Sequence, residues 1–102
     1  MDINSFKNDI LNTTPERLII KVYDFAILNC QKRNILKANE AIQVLINSLS
    51  FQDPTTKEIS IGLLRLYRYC QDQVRKGEYD IAEKVLKELK ESWEEALSRN
   101  RI

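Results

Sequence analysis

An all-α fold, an antiparallel four-helix bundle preceded by an N-terminal arm, is predicted by three features of the 102-residue sequence. Two Gly and two Pro leave few turns, which excludes a many-stranded sandwich or barrel. No segment alternates apolar and polar residues with the two-residue period of a half-buried strand. Instead, four segments repeat apolar residues at helical spacing, separated by short breaks that favour antiparallel neighbours. The length suits one domain, with residues 1–14 as the arm and 15–99 as the bundle.

The arm is polar, with isolated apolar residues at Ile3, Phe6, Ile10 and Leu11. Thr13-Thr14-Pro15-Glu16 is a helix start, with Thr14 as N-cap and Pro15 at the first helical position, where a missing N–H costs nothing. The first helix carries Leu18, Val22, Phe25 or Ala26, and Asn29 or Cys30 in register, and Ile19, Ile20, Tyr23, Ile27 and Leu28 broaden the stripe. A stripe that wide is covered on more than one side. After a break at Gln31-Lys32-Arg33-Asn34, the second helix repeats Ile35, Ala38, Ile42, Leu45 and Leu49. Residues 50–55 form the clearest loop, and Thr55 with Glu58 has capping-box spacing. The third helix places Ile59, Leu63, Leu66, Tyr67, Cys70 and Val74 on one core face. Gly62 within it costs about 1 kcal/mol relative to Ala, a cost explained by close packing or a bend. Gly77 ends that helix, and the fourth carries Tyr79, Ala82, Val85 or Leu86, Leu89, Trp93 and Ala96 or Leu97.

Composition excludes several activities. Sixteen basic and fifteen acidic residues argue against a nucleic-acid binder, which must neutralise many phosphates. The absence of His removes imidazole acid–base catalysis, the Ser-His-Asp triad and His metal ligands. Cys30 and Cys70 lie far apart within helical patterns, so they read as reduced, packed thiols, with no metal spacing and no disulfide framework. No segment is apolar for the roughly 20 residues of a membrane span, and the N-terminus lacks the pattern of a secretory signal. The expectation is a cytoplasmic protein that binds rather than converts, with no catalytic residues, metal or cofactor. The charges from Lys84 to Glu95 read as a solvated helix face, with Glu83 and Lys87 an i,i+4 pair.

Four stretches carry a family resemblance: Thr13-Thr14-Pro15-Glu16-Arg17-Leu18 continuing into Val22-Tyr23-Asp24-Phe25-Ala26-Ile27; Lys37-Ala38-Asn39-Glu40-Ala41-Ile42; Glu58-Ile59-Ser60-Ile61-Gly62-Leu63 with Leu66-Tyr67-Arg68-Tyr69; and Leu86 through Ala96. In this order they resemble the flagellar secretion chaperones of the FliS family. The chain departs from the family at Phe25, where a Gly is usual, at Phe6, where the arm usually has Tyr, and in a first hairpin that turns early. The resemblance implies a four-helix cytoplasmic chaperone that binds the disordered C-terminal segment of flagellin. It would prevent premature polymerisation and present the subunit to the flagellar export machinery, as a monomer or weak homodimer without a cofactor.

Such a function needs apolar side chains beyond those that fill the core. Ile19, Ile20, Tyr23 and Ile27 on the first helix, Ile46 on the second, and Ile61, Leu64 and Tyr69 on the third are the candidate partner-binding groove. Phe6, Ile10 and Leu11 of the arm are candidates to cap it. The plainer reading is that the arm or a dimer simply covers these residues, and that the tyrosines sit at the bundle edge. The alternative function is a generic helical adaptor. Its motive is an echo between Asn34-Ile35-Leu36-Lys37-Ala38 and Gly77-Glu78-Tyr79-Asp80-Ile81-Ala82, the latter similar to a turn of a tetratricopeptide unit.

Overall fold

The computed structural model describes residues 15–99, in which four helices are present and no strand. They are α1 (Pro15–Gln31), α2 (Ile35–Asn47), α3 (Lys57–Arg75) and α4 (Tyr79–Arg99). The arm residues Phe6, Ile10 and Leu11, and the cap at Thr13 and Thr14, lie outside the described residues.

Each helix packs against two others in the cycle α1–α2–α3–α4–α1. Their directions follow from side-chain bonds. Gln31 Nε2 donates to Glu83 Oε2 at 3.1 Å, Lys90 Nζ pairs with Asp24 Oδ1 at 2.6 Å, and Trp93 Nε1 donates to Tyr23 Oη at 3.1 Å. Residue numbers fall along α1 as they rise along α4, so the two are antiparallel. Residues 32–34 and 76–78 allow only reversal between α1 and α2 and between α3 and α4, and the bundle is therefore up-and-down.

The two hairpins are built alike. At the end of α1, Arg33 N–H donates to Cys30 O at 3.1 Å and Asn34 N–H to Asn29 O at 2.9 Å. At the end of α3, Gly77 N–H donates to Val74 O at 3.0 Å and Glu78 N–H to Gln73 O at 2.8 Å. Both are Schellman turns, with the left-handed position held by Arg33 (φ 56°) and by Gly77 (φ 81°). Ala38 and Ala82, at equivalent places in the following helices, are fully buried. The sequence echo thus marks equivalent turns of a bundle closed by α1 against α4, rather than units of a stacked array.

These equivalent positions have opposite expected responses. A side chain at left-handed φ costs roughly 1–2 kcal/mol. Gly77→Ala therefore destabilises by about 1–2 kcal/mol. Arg33→Gly gains a similar amount, less about 0.5–1 kcal/mol for the guanidinium that lies 5.7 Å from the centre of the Tyr79 ring. Urea titration of the two variants checks the opposite signs.

The α2–α3 connection differs from the capping box expected there. Asp53 Oδ1 accepts from Thr55 N–H at 2.9 Å and from Thr55 Oγ1 at 2.7 Å, and these bonds hold the exposed Asp53 carboxyl below its usual pKa. Thr55 is thus engaged in a turn, and α3 starts after Thr56, whose side chain makes no cap bond. Asn34 caps α2 by accepting from Lys37 N–H at 3.1 Å. The expected pair of Lys87 with Glu83 is present at 2.6 Å, worth a few tenths of a kcal/mol. With Gln31, Lys87 holds the Glu83 carboxyl below its ordinary pKa.

The core runs along the bundle axis through Val22, Tyr23, Ala26, Ile27 and Cys30 of α1, Ala38, Ala41, Ile42 and Leu45 of α2, Tyr67, Cys70 and Val74 of α3, and Ala82 and Leu86 of α4. At its centre Tyr23 Oη and Tyr67 Oη are 2.5 Å apart, with the rings tilted at 56°. Both cysteines are buried free thiols. Burial pushes Cys30 up to about 11 and Cys70 up to about 12, and also raises Tyr23 and Tyr67 above the ordinary tyrosine value.

All four groups are held neutral by the fold, so above their ordinary pKa values the unfolded chain releases protons that the folded chain retains. Their stabilising neutrality is intact below about pH 9 and is lost as pH rises from there through the raised values. Urea titrations between pH 8 and 11 should show stability falling beyond pH 9. In Cys70→Ala the slope should be shallower by up to about 1.4 kcal/mol per pH unit.

Candidate functional site

The eight side chains expected to form a groove do not share one face. Tyr23 and Ile27 are core residues, because α1 is covered by α2 on one side and by α4 on the other. Ile19 and Ile46 are half-buried and pack against the same core. Ile20 is half-buried in a hollow on the α1–α4 seam whose other lining residues include Arg17, Lys21, Asp24 and Glu94. Ile61 and Leu64, also half-buried, lie on the part of α3 that turns towards α2. Gln71, on the same face as Leu64 two turns along, bonds Asn39 O at 3.3 Å and Gln43 Oε1 at 3.2 Å of α2. Tyr69, 45% exposed, stands on the other side of α3.

The apolar surface that remains open is elsewhere, along the seam between α3 and α4. Ile59 and Leu63 of α3 and Leu89, Ser92, Trp93 and Ala96 of α4 line a trough of about 250 Å³. The expected core stripe of α3 supplies one wall: Ile59 is 64% exposed and Leu66, one turn past Leu63, is 40% exposed. Tyr69 and Ile81, the latter 40% exposed, extend apolar surface towards the Gly77 end. The reason is geometric. Tyr67, Cys70 and Val74 fill the axis, and the residues 40–80° around the helix from them meet an α4 wall of modest side chains that covers them in part.

The polar atoms of the trough are turned inward. Ser92 Oγ donates to Glu88 O at 3.2 Å, and Trp93 Nε1 donates to Tyr23 Oη at 3.1 Å. What faces outward is therefore hydrocarbon, methyl and indole carbon. Trp93, expected in the core, is half-buried at the joint between core and trough.

Among the described residues no group of His, Cys, Asp or Glu is placed to hold a metal, and no helix is long and apolar enough to cross a membrane. Other hollows, of about 450, 390 and 340 Å³, are shallow and lined largely by charged and amide side chains, the second of them by α4 residues alone. The apolar trough is smaller than the roughly 300–1,000 Å³ of a small-molecule pocket but open along its length, a shape suited to successive side chains of a polypeptide.

The sequence signal that points to this seam is Gly62, one turn from both Ile59 and Leu66 on the same face. Outside its own helical turn and chain neighbours, nothing described lies within 4 Å of where its Cβ would be, so close internal packing does not explain it. No protein-family model matches the chain, and neither does any curated protein or solved structure.

Proposed function

We propose that the protein is an export chaperone of the flagellar type, whose client is the C-terminal segment of flagellin. The segment, unstructured when free, folds as an amphipathic helix along the α3–α4 seam and buries its apolar stripe against Ile59, Leu63, Leu66 and Leu89. Held there, it is unavailable for polymerisation and is presented to the export machinery from the cytoplasm. The observation that carries this reading is the open apolar seam in a bundle whose α1–α4 seam is bridged by an ion pair and whose α2–α3 seam is bridged by an amide. The family resemblance of the four sequence stretches supplies the identity of the client.

Calorimetric titration of the protein with the C-terminal segment of flagellin from the organism that encodes it tests the proposal. Circular dichroism of the same samples reports folding of the segment. Saturable 1:1 binding, with more helix in the mixture than in the separate components, is the expected result. No heat at high micromolar concentration would remove flagellin as the client and leave the generic adaptor as the reading to pursue.

A further inference from the structure

Gly62 and two facing charges say more about what the seam receives, on the premise that it receives a client helix. Glycine in the interior of a helix is unfavourable, yet Gly62 sits in the second turn of the 19-residue α3 with open space where its Cβ would point. The fold does not demand it. The equivalent position of α1, reached by the same 44-residue step that relates Tyr23 to Tyr67, is Leu18, which packs an ordinary side chain against the core. A bare stretch of backbone between the exposed Ile59 and Leu66 leaves room for the close approach of another backbone.

The charges flanking the seam are opposite. Arg65, one turn from Gly62, lies on the α3 lip, and Glu88, one turn before Ser92, lies on the α4 lip. Both are exposed, and neither has an ion-pair partner among the described residues.

We infer that the occupant is an amphipathic helix with a small residue, Gly, Ala or Ser, in its apolar stripe where it crosses Gly62. It carries acidic side chains on the edge facing Arg65 and basic ones on the edge facing Glu88. Because the two edges differ, the helix fits in one of its two directions only, and the same charges reject it in the other.

The test uses the full chain and a synthetic peptide of the flagellin C-terminal segment, with Tm and Kd read for each variant. Gly62→Ala and Gly62→Leu should both raise Tm by about 4–8 °C, since each removes an interior helical glycine without an internal clash. Gly62→Leu should weaken peptide binding by at least about 10-fold, and Gly62→Ala by a smaller factor, as the added side chain fills the space of approach. Arg65→Glu and Glu88→Lys should each weaken binding by a few-fold at low salt and by less at high salt. If Gly62→Leu and Gly62→Ala bind as tightly as the parent, the close approach is wrong while the client stands. If the two charge reversals leave binding unchanged at low salt, the assigned edges and direction are wrong. If the parent itself fails to bind, the client reading falls and this inference with it.

Discussion

Tyr23→Phe should destabilise the protein by about 2–4 kcal/mol and lower Tm by something on the order of 10–20 °C, although it removes a single oxygen. That oxygen accepts from Trp93 Nε1 and bonds the Tyr67 hydroxyl. Its loss takes the Tyr23 partner from both the buried Tyr67 hydroxyl and the Trp93 N–H and leaves them only each other, and an under-satisfied buried polar group costs about 1–3 kcal/mol. Tyr67→Phe should cost less, about 1–2 kcal/mol, because Tyr23 still accepts from Trp93. The double variant should be milder than the sum of the two, since no Tyr67 hydroxyl then remains to be stranded. Denaturant titration of the four proteins in this cycle gives the coupling directly. Additive effects below about 0.5 kcal/mol each would show that the pair contributes nothing beyond its rings. Against a total stability of about 5–15 kcal/mol for a domain, the expected loss is a large fraction.

Leu66→Asp should abolish binding of the flagellin segment, raising Kd by at least about 30-fold, while moving Tm by only a few degrees. The side chain is 40% exposed in the free protein, so a carboxylate there keeps its water until a client arrives. On binding, it would be desolvated against the client's apolar stripe with no partner, which is the costly event. Leu36→Asp is the matched control. Leu36 is 72% exposed at the start of α2, away from the seam, and the same change there should leave Kd unaltered. Equal losses at the two positions would indicate a general effect of surface charge rather than a groove.

Much of the fold is legible in the residues. The breaks at 31–34 and at Gly77 fall where α1 and α3 end, because the Schellman turns they form place one residue at left-handed φ. The capping spacing of Thr55 and Glu58 misled by one residue, since Asp53 competes for the Thr55 hydroxyl and amide. The exposure of individual apolar side chains is less legible, for a reason that particular residues make plain. Periodicity gives the width of an apolar arc but not which neighbour covers each part of it. The wide arc of α1 predicts surplus surface, yet Tyr23 and Ile27 are enclosed because α1 has a close neighbour on both flanks. The narrow arc of α3 predicts core, yet Ile59 and Leu66 stand at its open edge. An interior glycine with no internal neighbour marked that edge, and its meaning depends on geometry that the sequence does not carry.

Trp93 is the sole tryptophan of the chain, and its indole touches both halves of the molecule's business: the nitrogen is tied to the Tyr23 hydroxyl, while the residue lines the trough. An indole emits at shorter wavelength as water leaves its surroundings. The protein is therefore fitted with its own optical gauge, whose colour shifts to the blue when a segment dries the seam and to the red when the tyrosine pair comes apart. One unlabelled sample then distinguishes occupancy from unfolding by the direction of a single spectral change.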